Sequence, residues 1–179
     1  ARPGQGKTAL MVTMARNQAK AGYRPFILSM EMPADELIDR IIAQEAEVTA
    51  NKLLQGKKLE GDEWQAVVDA AETVSGWGIK IDDESGLHIS EVKRRIRQAV
   101  RDGHDIVYID QLSQMQGPGF KEYEINTGIS RELARLKKEV KIPIVLLAQI
   151  NRESNKGSKD GNNEPSLHQL KSTGALEED

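Results

Sequence analysis

The apolar positions of this chain change period repeatedly, and each change marks an element. From Thr8 to about Ala21 they recur at helical spacing, and Gly22 closes the run as a C-terminal glycine. Arg24-Pro25-Phe26-Ile27-Leu28-Ser29-Met30 is short and apolar after a turn, which predicts a buried strand. Ala34 to about Ala46 returns to a helical period, with Leu37, Ile38, Ile41 and Ile42 on one side. Glu60 to about Val74 reads as a further helix stopped by Gly76-Trp77-Gly78, and Ile79 to Asp83 as a short strand. Ser90 is the expected N-cap of a helix through Arg101. Asp105 to Asp110 is the clearest strand, Ile125 to Val140 the next helix, and Pro143 to Ala148 the next buried strand. Wholly apolar strands alternating with helices imply an α/β fold, a mainly parallel sheet covered by helices on both faces. There is no internal repeat. Arg152 to Ser166 is too long and polar for a simple connection and reads as a mobile functional loop or disorder.

Composition narrows this only slightly. The 179 residues fit one domain, with 38% apolar and 30% charged side chains and few aromatics, so the core should be Ile, Val, Leu, Ala and Met. A net charge of −3 excludes a surface coated in basic charge but leaves room for a local basic groove. Lys93, Arg94, Arg95, Arg97 and Arg101 cluster on one helix and read as a solvated face rather than that groove. The lack of cysteine removes disulfides and thiolate metal sites, and His88, His104 and His168 lack ligand spacing. Trp64 and Trp77 are expected to be packing anchors. No apolar run reaches membrane-span length and no signal peptide is visible, so the expected compartment is the cytoplasm.

The chemistry begins at the first residues. Ala1-Arg2-Pro3-Gly4-Gln5-Gly6-Lys7-Thr8 fits a phosphate-binding loop, G-x-x-x-x-G-K-[ST], with Ala1 at the usual first Gly. Gly4 and Gly6 let backbone N–H groups turn toward phosphate oxygens, and the following helix adds the positive end of its dipole. Lys7 would reach the β- and γ-phosphates and Thr8 would offer its hydroxyl to Mg²⁺. The alternative is a Gly/Pro turn before an amphipathic helix. Such a loop normally follows a buried strand, so the chain is expected to be part of a longer protein, incomplete at both ends, with a first core strand and C-terminal strands missing.

Ile106-Val107-Tyr108-Ile109-Asp110 is an apolar strand ending in a carboxylate, which would hold Mg²⁺ together with Thr8. Gln111, not Glu, follows it, so a water-activating base must come from elsewhere. Glu31 is the candidate, at the carboxyl end of the Phe26–Met30 strand where ligands of open α/β sheets sit. Its alternative role is to favour the dipole of the next helix. Gln149 ends its strand in the same manner and can sense the γ-phosphate, or simply be a polar strand terminus.

Residues 1–179 taken as one domain resemble the ATPase domain of the DnaB-type replicative hexameric DNA helicases, within the RecA-like P-loop group. The matching runs are Ala1-Arg2-Pro3 with Gly6-Lys7-Thr8, Leu28-Ser29-Met30-Glu31-Met32, Tyr108-Ile109-Asp110-Gln111-Leu112, Ala148-Gln149-Ile150-Asn151-Arg152 and Ser172-Thr173-Gly174-Ala175-Leu176-Glu177-Glu178-Asp179. The resemblance implies that Gly4, Gly6, Lys7, Thr8 and Ala9 bind ATP, that Glu31 polarises the attacking water and that Asp110 supports Mg²⁺. It implies that Gln149 couples nucleotide state to DNA, and it adds Arg40, which matches a family arginine, to the nucleotide-binding set. The segment Lys171-Ser172-Thr173-Gly174 would line a channel for single-stranded DNA, with Lys156 and Lys159 as lesser helpers. Two departures stand out: Lys171 and Ser172 replace the common Arg and Glu, and Asp110-Gln111-Leu112-Ser113-Gln114-Met115 replaces the usual Asp-Tyr-Leu-Gln-Leu-Met. The resemblance further implies a homo-hexamer, with primase and helicase-loader contacts, in the full-length protein. A RecA/RadA-type recombinase-like ATPase and a non-catalytic nucleotide-switch scaffold are the rival readings.

Overall fold

The apolar strands pair in parallel, and their side-chain alternation divides the core in two. The structure, a computed structural model, describes residues 6–56 and 58–149. In chain order these form α1 (Lys7–Lys20), β1 (Pro25–Ser29), α2 (Ala34–Glu45), α3 (Ala50–Leu54), α4 (Glu63–Ser75), β2 (Lys80–Asp82), α5 (Ile89–Arg101), β3 (Ile106–Asp110), a 3₁₀ turn (Leu112–Gln114), α6 (Glu122–Val140) and β4 (Ile144–Leu147). The sheet has four strands in the order β2-β1-β3-β4, every pair parallel. Parallel neighbours need crossover connections, and helices supply them.

Successive strand residues point to opposite faces. Phe26, Leu28, Val107 and Ile109 meet Val92 and Ile96 of α5 and Ile129, Leu133 and Leu136 of α6. Ile27, Ile106 and Tyr108 meet Met11, Val12 and Ala15 of α1, Leu37 and Ile41 of α2 and Val74 of α4. The central strands β1 and β3 are therefore buried throughout, as their unbroken apolar runs require. Polar bonds fix the α1 layer: Tyr108 Oη donates to Gln18 Oε1 at 2.6 Å, and Arg16 Nε and Lys20 Nζ reach Glu45 of α2 at 2.7 and 2.8 Å.

Several expectations are corrected. The N-cap of α5 is His88, not Ser90: its extended backbone precedes the helix, and its Nδ1 accepts the Ser90 amide at 3.3 Å. Helix α6 starts three residues before Ile125, where the Glu124 carboxylate accepts the Phe120 amide at 3.1 Å. Helix α4 starts at Glu63 rather than Glu60, and α3 has no counterpart in the sequence reading. Trp64 is not a packing anchor. Helix α4 buries Ala70 and Val74, whereas Trp64, in its first turn, is 64% exposed beside Leu53 and Leu59. Trp77 does pack against the core.

The basic face of α5 is spent on carboxylates. Arg95 pairs with Asp82, Glu84 and Glu91, Lys93 with Glu132, and Arg97 with Glu139. The expected solvated face is therefore only partly so: Arg94 and Arg101 are exposed, whereas Lys93, Arg95 and Arg97 are partly covered by the pairs that tie α5 to its neighbours. Among the described residues no helix is long and apolar enough to cross a membrane.

Candidate nucleotide-binding site

The site forms where the carboxyl ends of β1, β3 and β4 meet the start of α1. Gly6 is the N-cap of α1, at φ 77° and ψ 22°. That left-handed conformation favours glycine, and it aims the first N–H groups of the helix outward. Lys7 and Thr8 follow in the first turn, so the helix dipole and the Lys7 charge act on the same space.

Thr8 Oγ1 donates to Asp110 Oδ2 at 2.7 Å. Asp110 is fully buried at the end of β3, and its Oδ1 has no partner among the described residues. A buried carboxylate oxygen left unpaired is costly unless a ligand completes it. Two oxygen donors, one of them anionic, suit a hard cation held mainly by phosphates and water rather than a protein cage. Among the described residues there is no group of three or more His, Cys, Asp or Glu able to hold a metal.

Glu31 lies in the turn between β1 and α2. Buried Ser29 shapes this turn: its hydroxyl donates to the Met32 carbonyl at 2.7 Å and accepts the Met32 amide at 3.3 Å. The register pairs Ser29 with Asp110, and the Met30 amide then donates to the Asp110 carbonyl at 2.7 Å. The turn bearing Glu31 is thus fastened to the end of β3. Gln111 Nε2 donates to Glu31 Oε2 at 2.8 Å.

A cleft of about 310 Å³ joins these parts. Its lining comes from Gly6, Lys7, Thr8 and Ala9 of the α1 start, from Glu31, Met32 and Arg40 of the β1–α2 region, and from Gln111 and Gln149. Arg40 Nη2 donates to Glu36 Oε1 at 2.7 Å, while its buried Nε has no partner among the described residues.

The structure therefore brings together Gly6, Lys7, Thr8, Ala9, Glu31, Arg40 and Gln149, with Asp110 beneath Thr8. Gly4, Lys156, Lys159, Lys171, Ser172 and Gly174 lie outside the described residues. Gln111 and Ser29 were not predicted as site residues. The signal for Gln111 in the sequence is its place directly after Asp110, where it is an amide and not an acid.

Relatives of known type share this arrangement's sequence and fold. Residues 1–179 match the model of the DnaB-like helicase C-terminal domain. The chain is 33% identical over 186 residues to the replicative DNA helicase DnaB of Haemophilus influenzae, covering 100% of the chain and 39% of that protein. It is 31% identical over 185 residues to the replicative DNA helicase DnaC of Bacillus subtilis, covering 100% of the chain and 40% of that protein. It thus spans about two fifths of these relatives' length. A DnaB-like replicative helicase, solved and described with its interactions with primase, superposes with a TM-score of 0.88 at 26% identity, over 98% of this chain and 44% of that one. A second solved structure, described as an ATPase domain, gives the same TM-score of 0.88 and 26% identity, over 98% of this chain and 63% of that one. With a family model spanning its whole length, the chain belongs to the DnaB-like helicase C-terminal-domain family.

Proposed function

We propose that this chain is the ATP-hydrolysing motor domain of a replicative DNA helicase. The observation that carries this reading is the Thr8–Asp110 bond, which sets a buried carboxylate under the cleft that also holds Lys7 and Glu31. The α1 N–H groups and Lys7 would hold the phosphates of ATP and stabilise charge on the transferred phosphoryl group. Bound Mg²⁺, held by Thr8 and Asp110, would neutralise phosphate charge. Glu31 would accept a proton from a water whose oxygen bonds to the γ-phosphorus as the bond to the ADP oxygen breaks. Arg40 would assist nucleotide binding, and Gln149 would report the state of the γ-phosphate to the chain that follows.

Phosphoryl-transfer sites of this kind gain about 10³–10⁵ in rate from an arginine supplied by a neighbour. That fits action as a homo-hexamer in the full-length protein, for which the cytoplasm is the compartment we propose. Lys171, Ser172 and Gly174, helped by Lys156 and Lys159, would contact the phosphates of single-stranded DNA. One similar structure is described with its interactions with primase, which supports primase as a partner of the full-length protein; a helicase loader is proposed from the family resemblance alone.

The test is paired. In the full-length protein, Lys7→Ala should abolish turnover, and Glu31→Gln should bind ATP yet lose hydrolysis by roughly 10²–10⁴-fold. Normal turnover in folded Lys7→Ala would sink the ATPase reading; binding without any turnover in the unaltered protein would favour the nucleotide-switch rival. Lys171→Ala in the assembled ring should weaken single-stranded DNA binding for all sequences and flatten its salt dependence. Filament rather than ring assembly on DNA would favour the recombinase-like rival.

A further inference from the structure

We propose that Gln111 is a positioning residue for hydrolysis: its side-chain amide fixes the orientation of the Glu31 carboxylate in the nucleotide cleft. This rests on the reading of Glu31 as the base.

Three observations converge. Gln111 Nε2 donates to Glu31 Oε2 at 2.8 Å, and Gln111 is Glu31's hydrogen-bond partner among the described residues. Glu31 is otherwise an exposed side chain on a turn, with its rotamers free to vary. Gln111, by contrast, is 4% exposed. Its Oε1 is enclosed without a partner among the described residues, an arrangement that costs stability. An apolar residue would fill that space without the cost, so packing alone does not explain an amide there. The bond to Glu31 does.

Both ends of the bond are also held by the backbone. The carbonyl of Gln111 accepts the Gln114 amide at 3.1 Å, which sets the 3₁₀ turn after β3. On the other side, the Ser29 latch and the Met30–Asp110 bond set the Glu31 turn. A donor anchored in this way limits the positions open to a general base, and such placement is what lets a bound water react.

The experiment uses the full-length assembled protein. Single-turnover hydrolysis and the affinity for a non-hydrolysable ATP analogue are measured for Gln111→Leu, Gln111→Glu, Glu31→Gln and the Glu31→Gln/Gln111→Leu double variant. Gln111→Leu keeps the volume and removes the donor. It should slow hydrolysis by about 10–100-fold, as expected of a misplaced catalytic group, and leave analogue affinity nearly unchanged. Gln111→Glu replaces the donor with a repelling carboxylate and should lose at least as much. In the Glu31→Gln background Gln111→Leu should add almost nothing, because it acts through Glu31. Normal hydrolysis in either folded Gln111 variant overturns the proposal, and so does full additivity in the double variant. If Glu31→Gln is inactive while Gln111→Leu is normal, only the role of Gln111 falls. If Glu31→Gln turns over normally, the assignment of the base falls and takes the role of Gln111 with it.

Discussion

Thr8 and Asp110, 102 positions apart in the chain, meet through a 2.7 Å hydrogen bond in which the Thr8 hydroxyl donates to Oδ2 of a fully buried carboxylate. The bond joins the first turn of α1 to the end of β3. It sets the Asp110 carboxylate beneath the cleft that the start of α1, with Lys7, shares with Glu31 and Arg40.

Asp110→Asn preserves shape and an oxygen for the Thr8 bond but removes that charge. Losing one preorganised electrostatic group of this kind costs about 10²–10³ in rate. Hydrolysis should fall by that order, and Mg²⁺-dependent nucleotide binding should weaken, with the circular dichroism spectrum unchanged. Wild-type affinity for the Mg²⁺–ATP pair in the variant would reduce Asp110 to a structural strand end.

Leu37 is completely buried between α2 and the sheet, with Met11 and Ile41 in the same cluster. Leu37→Ala removes apolar contact and leaves a cavity, which destabilises by about 2–5 kcal/mol. Urea unfolding should show a lower midpoint with an unchanged slope. A loss of only a few tenths of a kcal/mol would mean that the α2 layer contributes little.

Hydrogen bonds from Arg94, and then Arg95, hold the Glu91 carboxyl down from 4.5 to about 2. A depressed carboxyl stabilises the fold above its unfolded value, and that contribution is lost as pH falls through the folded one. Stability should therefore decline between about pH 4.5 and pH 2. Arg94→Ala, which removes the larger of the two hydrogen-bonding causes acting on Glu91, should flatten this decline. Thermal melts across that window would check it, and equal slopes in the two proteins would remove that pair as a cause.

Trp64 and Trp77 should report different surroundings. Trp64 is 64% exposed, whereas Trp77 is packed against the core. Trp64→Phe should abolish most of the acrylamide-quenchable tryptophan fluorescence and shift stability by no more than about 0.5 kcal/mol, as exposed substitutions do. A substantial loss of stability would restore Trp64 as a packing anchor.

Much of this molecule is local in origin and so was legible in the residues alone. The apolar runs at Phe26 to Leu28 and Ile106 to Ile109, alternating with helical segments, point to buried strands because a parallel sheet covered on both faces needs apolar residues on each side of a strand. The Leu37 and Ile41 spacing fixes the buried side of α2. Gly6-Lys7-Thr8 announces phosphate chemistry because its residue types and its position before a helix act within one turn. Features that local competition decides were missed or displaced. The five residues of α3 are too few to show a period, and His88 took the cap expected of Ser90 because its backbone, one residue before the helix, was the extended one. Tertiary structure alone decided which distant groups meet. The order β2-β1-β3-β4 and the pairing of Ser29 with Asp110 bring Glu31 beside Gln111, and no periodicity within either segment records that adjacency. The exposure of Trp64 was settled in the same way: α4 buries Ala70 and Val74 further along and leaves its first turn outside, whatever the residue's own hydrophobicity.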